Sequence, residues 1–147
     1  MDKKYSGFKL LTALFKGASL EGALMLDVGA QVGVFSIAFA KLGFDVIAFE
    51  ASPPNFVTLC DNTADFPAIK AVNNAVYNMS SKGERFYFSD EYIGINSLKV
   101  NSKFLSEDKY AVVPVVRLDE FLGVEADRVR VIKTDIEGAD LQAIQSF

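Results

Sequence analysis

The chain has 147 residues, half of them hydrophobic and 12% aromatic, which is enough apolar material for one packed domain. Its formal net charge of −4 argues against nucleic acid as a partner. It has no histidine and a single cysteine, Cys60, which excludes an ordinary zinc site, a histidine base and an internal disulfide. We therefore predict a cytoplasmic protein with no membrane partner, in which Cys60 is an inert core residue.

The first twenty residues form the first predicted element. Phe8, Leu11 and Phe15 recur at helical spacing, which favours an amphipathic helix packed on the domain. A signal peptide is the alternative, but Lys9 and Lys16 leave an apolar stretch that is too short for one.

Residues 21–76 alternate between strands and helices. The strands are predicted in "ALMLDV", "FDVIAFE" and "AIKAVNNAV", and the first helix, "VFSIAFAKLG", should end at Gly43. Ser52 can cap the second helix, with Pro53 in its first turn. Short connections in this order predict a parallel, doubly wound α/β sheet.

Residues 77–118 break this alternation, and we predict an antiparallel insertion there. "ERFYFS" places Phe86 and Phe88 on one face of a strand after a turn at 80–83. "AVVPVVRL" is a second strand, which Pro114 should place at a sheet edge or a bulge.

Residues 119–147 return to the alternation of helices and strands. Asp119 is the predicted cap of a short helix, "RVRVIKTD" is the fourth parallel strand, and "EGADLQAIQSF" begins a helix. The whole chain, 1–147, is therefore predicted to be a single domain.

A candidate cofactor loop lies in "LMLDVGAQVGVFS". Gly29 and Gly33 separate a strand from a helix, where backbone amides can approach a ligand closely. Glu50 ends the next strand, and a carboxylate at that position can accept hydrogen bonds from a ribose diol. Together these features predict a nucleoside cofactor.

The identity of that cofactor depends on Asp27 and Gln31. A dinucleotide fingerprint would have a glycine at Gln31, and a carboxylate at Asp27 that pointed into the loop would repel a pyrophosphate. It would suit a cationic amino group, such as that of S-adenosylmethionine. A nicotinamide-dependent oxidoreductase is the less favoured alternative, since Tyr5 and Lys9 precede the glycine loop, opposite to the order in enzymes of that type.

Several segments, in order, resemble the FkbM family of S-adenosylmethionine-dependent methyltransferases. They are "DVGAQVGVFSIAFAKLG", "VIAFEASPPNFVTLCDN", "NNAV", "INSL", "VPVVRLDEFL" and "VIKTDIEGADLQAI". The resemblance implies a Rossmann-like class I methyltransferase fold and O-methylation of a sugar or small-molecule hydroxyl.

The resemblance also implies which residues bind the donor. Around its methionine part these are Asp27, Gly29, Ala30, Gln31 and Gly33. Around its ribose and adenine they are Glu50, Ala51, Asn74 and Ala75. Three positions depart from the family pattern: Gln31 replaces the usual Asn, Ala51 the usual Pro, and Thr134 an aliphatic residue.

The acceptor side has fewer candidates. With no histidine available, Asp135 and Glu137 are the predicted bases, although helix capping and a first-turn position are the structural alternatives. With Asp140 they could instead bind a divalent cation, which we disfavour, since acids at a helix start are common. Asn96 and Ser97 either line the acceptor pocket or satisfy the backbone in a turn.

A class I methyltransferase sheet has seven strands, and the fifth should follow the helix that ends at Phe147. We therefore expect the last three strands to be missing. Either the reading frame is a fragment, or the bare edge of "VRVIKT" finds a partner, for which we predict a homodimer. A non-catalytic S-adenosylmethionine-binding module or an inactive remnant is the alternative to an active enzyme.

Overall fold

A computed structural model describes residues 12–88 and 108–147. Its central sheet contains four parallel strands in the order β3-β2-β1-β7. The strands are β1 (Leu24–Val28), β2 (Asp45–Phe49), β3 (Ile69–Val72) and β7 (Val129–Thr134). The predicted parallel α/β sheet is confirmed, and β7 lies beside β1 although about a hundred residues separate them along the chain.

Two helices connect the first three strands. Helix α1 (Val34–Leu42) ends at Gly43 in the left-handed conformation, as predicted, and the Gly43 amide donates to the carbonyls of Ala40 and Phe39. Helix α2 (Pro53–Thr63) begins after Ser52, with proline in its first turn. The Ser52 hydroxyl makes no capping hydrogen bond, so the cap position is confirmed but its expected side-chain contact is absent.

The second sheet is mixed rather than purely antiparallel. It consists of β4 (Ala75–Val76), β5 (Ser81–Tyr87) and β6 (Tyr110–Val116), in the order β4-β6-β5. Strand β4 is parallel to β6, and β5 is antiparallel to it. The predicted third strand is therefore divided in two. Its first part, β3, ends at Val72 in the central sheet, and its last residues form β4 in the second sheet.

Pro114 lies in the middle strand of that sheet, so the predicted edge position is wrong. The pairing of β5 with β6 shifts in register between Ser81 and Glu84, which are opposite Val115 and Val113. Pro114 falls within that shift, where its missing N–H interrupts no regular ladder. The bulge alternative is therefore the correct one.

Three further helical elements complete the described chain: α3 (Leu118–Leu122), a 3₁₀ helix (Gly123–Arg128) and α4 (Asp140–Ile144). The predicted cap at Asp119 is wrong, because α3 begins one residue earlier and Asp119 binds the Arg117 guanidinium in its first turn. Helix α4 begins at Asp140, three residues later than the sequence pattern suggested.

The core occupies both faces of the central sheet. Alternate residues of β1 and β2 point to opposite faces, which is the period of a strand. One face buries Leu24, Leu26, Val28, Ile47, Phe49, Val76, Leu118, Leu122 and Ala143. The other buries Ala23, Met25, Ala30, Phe39, Phe44, Val46, Ala48 and Leu59.

The N-terminal helix is described only in part. Residues 12–14 are helical, and the Phe15 ring packs edge-on against Phe39 and Phe44. Phe8 and Leu11 lie outside the described residues. Among the helices of the described ranges, none has the length and hydropathy that a membrane crossing requires.

Candidate functional site

A cleft of about 370 Å³ opens at the carboxyl ends of β1, β2 and β7. In parallel α/β sheets this edge is the usual place for a ligand. Eleven of its lining residues come from the segment between the end of β1 and the start of α1 and from the segment between the end of β2 and the first turn of α2: Val28, Gly29, Ala30, Gln31, Val32, Val34, Phe35, Phe49, Glu50, Ala51 and Asn55. The others are Asn74, Ala75, Val76, Phe86, Lys133, Asp135, Ile136, Glu137 and Ala139.

The glycine loop is fixed by its neighbours on both sides. The amides of Gly29 and Ala30 both donate to the Phe49 carbonyl, at 3.0 and 2.9 Å. On the other side, a Cβ on Gly29 would lie 2.2 Å from the backbone oxygen of Asp135. Gly29 is thus required by contact with the segment after β7, in addition to the ligand approach that the sequence suggested.

Gly33 does not line the cleft. It precedes α1 with φ of 89°, and a Cβ there would lie 2.8 Å from Leu59 Cδ1 and 3.2 Å from Thr63 Cγ2. Close packing of α1 against α2 therefore accounts for this glycine.

Asp27 does not line the cleft either, because its side chain is fully buried. The Ser36 hydroxyl donates to Oδ2 at 2.7 Å, and Lys133 Nζ lies 3.0 Å from Oδ1. The expected carboxylate pointing into the loop is not observed. Asp27 instead forms a buried ion pair beneath the loop, which alters the electrostatic argument made from the sequence.

Lys133 is a cleft residue that the sequence analysis missed. Its ammonium donates to the Gly29 carbonyl at 2.7 Å, and its side chain is 19% exposed. Lys133 pairs with Asp27 in the β1–β7 register. The available signal was a lysine near the end of a predicted core strand, where a charged side chain needs a partner.

The carboxylate of Glu50 is fixed by hydrogen bonds from two backbone amides. Its Oε2 accepts from the Gln31 amide and its Oε1 from the Ser52 amide, both at 2.8 Å. Burial raises the pKa of Glu50 above its ordinary value of 4.5, although these two amides and Lys133 act in the opposite direction. The Asn55 side chain is a third hydrogen-bond partner of this carboxylate, so of its roughly four lone-pair sites about one remains for a ribose hydroxyl.

The end of β3 supplies the wall next to Glu50. Asn74 and Ala75, the predicted adenine-side residues, both line the cleft. Asn73, which the sequence analysis did not single out, donates from its amide to the carbonyls of Glu50 and Ala51, at 2.7 and 3.1 Å. It thereby joins the ends of β2 and β3. Phe86 of β5 extends this wall from the second sheet.

Asp135 and Glu137 both line the cleft and are exposed. Neither structural alternative holds, because α4 begins only at Asp140 and Ala139 occupies its cap position. Glu137 has φ of 50°, which an L residue rarely adopts, and this conformation belongs to the loop that leads from β7 to α4.

The carboxylate of Asp140 accepts from the Ile136 amide at 3.2 Å. Within residues 12–88 and 108–147, no three acids, histidines or cysteines are grouped as a metal site requires. Asn96 and Ser97 lie outside the described residues, so their role in acceptor binding stays a prediction.

Gln31 also has a positive φ, of 53°. Since asparagine tolerates this conformation better than glutamine, Gln31→Asn should raise the unfolding free energy by roughly 0.5 kcal/mol. Urea denaturation measures the change. Gln145→Asn is the control, since Gln145 has φ of −67° and should gain nothing. A loss of stability in Gln31→Asn would contradict the backbone explanation.

The model of the methyltransferase FkbM domain matches residues 27–146, from the buried acid of β1 to the residues just after α4. The chain therefore belongs to the FkbM methyltransferase family. No curated protein matches it significantly.

Proposed function

We propose that this methyltransferase uses S-adenosylmethionine and transfers the methyl group to a hydroxyl of a sugar or another small molecule. The observation that carries the proposal is Glu50, a buried carboxylate beside a glycine loop in the cleft, with one acceptor position left after its contacts to Gln31, Ser52 and Asn55. That arrangement suits a ribose diol. The cleft volume of about 370 Å³ lies within the range of small-molecule sites.

When bound, the donor supplies an electrophilic methyl group on a cationic sulfonium. The protein must then hold a hydroxyl in line with that methyl group and accept its proton. Asp135 and Glu137 are exposed carboxylates in the same cleft, and either is suited to take the proton. Holding the two reactants in line can itself lower the barrier by about 7 to 11 kcal/mol.

Calorimetric titration tests the donor. We expect binding of S-adenosylmethionine and S-adenosylhomocysteine, and none of a nicotinamide dinucleotide. Three acids line the cleft against a single lysine among its described lining residues, which disfavours a pyrophosphate. Binding of the dinucleotide alone would overturn the proposal in favour of an oxidoreductase.

A methyl-transfer assay across sugars and small alcohols tests the acceptor. With a turned-over acceptor, loss of the base in Asp135→Asn or Glu137→Gln should lower kcat about a hundredfold. Donor affinity should be nearly unchanged. Asp65→Asn is the control, because Asp65 is exposed and lies outside the cleft.

If donor binding is intact but no acceptor of either class is methylated, the protein would be a non-catalytic binding module. If both single variants keep full kcat, neither acid is the base.

A further inference from the structure

The cleft contains one cation among its described lining residues, Lys133, and three acids, Glu50, Asp135 and Glu137. An amino-acid group carries a carboxylate as well as an ammonium. In a cleft with this excess of negative charge, Lys133 is the one described lining side chain whose charge attracts a ligand carboxylate.

The ammonium of Lys133 is held by two fixed contacts. It donates to the Gly29 carbonyl at 2.7 Å and lies 3.0 Å from Asp27 Oδ1. Its carbon chain is mostly buried, and its Nζ lies 5.5 Å from the centroid of the Phe35 ring. An ammonium has three N–H donors, so these two oxygens leave one for a ligand in the cleft.

We propose that Lys133 binds the carboxylate of the amino-acid end of the methyl donor. This rests on the proposed function, since it names the group that recognises one part of that donor. The contact would be a charge-assisted hydrogen bond in a partly desolvated site, which is stronger than a neutral one.

Asp27 then has a different role from the one that the sequence suggested. It contacts no ligand, because it is fully buried below the loop. Its carboxylate, fixed by the Ser36 hydroxyl, holds the Lys133 ammonium in place. Asp27 is thus a positioning residue for the carboxylate-binding lysine.

The experiment compares two ligands that differ by one group: S-adenosylhomocysteine and its decarboxylated analogue, which keeps the amine. Calorimetry on the unaltered protein should give at least about tenfold tighter binding of the first, the usual size of a charge-assisted hydrogen bond. Lys133→Gln alone would leave Asp27 as a buried unpaired charge. We therefore use Asp27→Asn/Lys133→Gln, which removes both charges together.

In that double variant the two ligands should bind within about twofold of each other, because the affinity for S-adenosylhomocysteine falls while that for the analogue holds. Lys82→Gln, an exposed lysine outside the cleft, should keep the full preference. A preference that persists in the double variant overturns the inference and leaves the proposed function standing. Failure of the unaltered protein to bind either ligand overturns the proposed function itself.

A second measurement does not depend on the folding of any variant. A crystal structure of the unaltered protein with S-adenosylhomocysteine should place a ligand carboxylate oxygen about 3 Å from Lys133 Nζ. A carboxylate bound only by backbone amides, out of reach of Nζ, would overturn the inference.

Discussion

Replacing Gly29 with alanine should lower the unfolding free energy by roughly 3 to 5 kcal/mol, through overpacking and backbone strain together. The added Cβ would lie 2.2 Å from the Asp135 carbonyl oxygen and 2.8 Å from Ile136 Cγ2. Relief would require movement of main chain rather than of a flexible side-chain end. Urea denaturation followed by far-ultraviolet circular dichroism measures the loss.

Gly22→Ala separates the two causes. Gly22 has φ of 67°, close to the 78° of Gly29, but no described atom lies within 4 Å of its added Cβ. The unfolding free energy of Gly22→Ala should therefore fall only by the cost of the left-handed conformation, about 1 to 2 kcal/mol. Equal losses in the two variants would show that the contact between the loop and the segment after β7 contributes nothing.

Replacing Glu50 with glutamine should weaken donor binding by about 30-fold to 1000-fold, equivalent to roughly 2 to 4 kcal/mol. Two effects combine. The ribose hydroxyls lose a charged acceptor, and one glutamine N–H₂ group must face the Gln31 or Ser52 amide, which is itself a donor. Calorimetry with S-adenosylhomocysteine measures the change, and Glu21→Gln, an exposed acid outside the cleft, is the control.

The unaltered protein should differ from Glu50→Gln in how its stability depends on pH. Burial raises the pKa of folded Glu50 above 4.5, so the folded state retains this proton when the unfolded state has lost it. Between 4.5 and the raised pKa, the stability of the unaltered protein should therefore fall relative to Glu50→Gln as the pH increases. Donor affinity should change in the opposite sense, since the proposed function requires the charged carboxylate to accept from the ribose. Parallel pH profiles for both proteins would contradict this role of Glu50.

The central sheet could be predicted because the local sequence of each strand and helix indicates its structure. Strand β1 is apolar on both faces, and Gly43 ends α1 as the left-handed position requires. The second sheet was harder, because the path of the chain after Val72 depends on pairing with β6, about forty residues later. Local pattern does not contain that information.

Site residues could be predicted where their position at a strand end indicates their role. They could not be predicted where the contact forms only between strands that are far apart in the sequence. Glu50 was found because an acid at the end of β2 has a recognised use. The Asp27–Lys133 pair was missed because it arises only when β7 is placed next to β1. Chain order gives no sign that these two charges neutralise each other, and Asp27 alone was therefore interpreted as a ligand-facing acid.

The two amides on Glu50 come from two different segments, one from the loop after β1 and one from the residue before α2. The carboxylate that we assign to the sugar is thus already oriented by the framework before any ligand arrives. Little conformational freedom remains to be lost at that point, so most of the binding energy of the sugar can appear as affinity rather than be spent on ordering the protein.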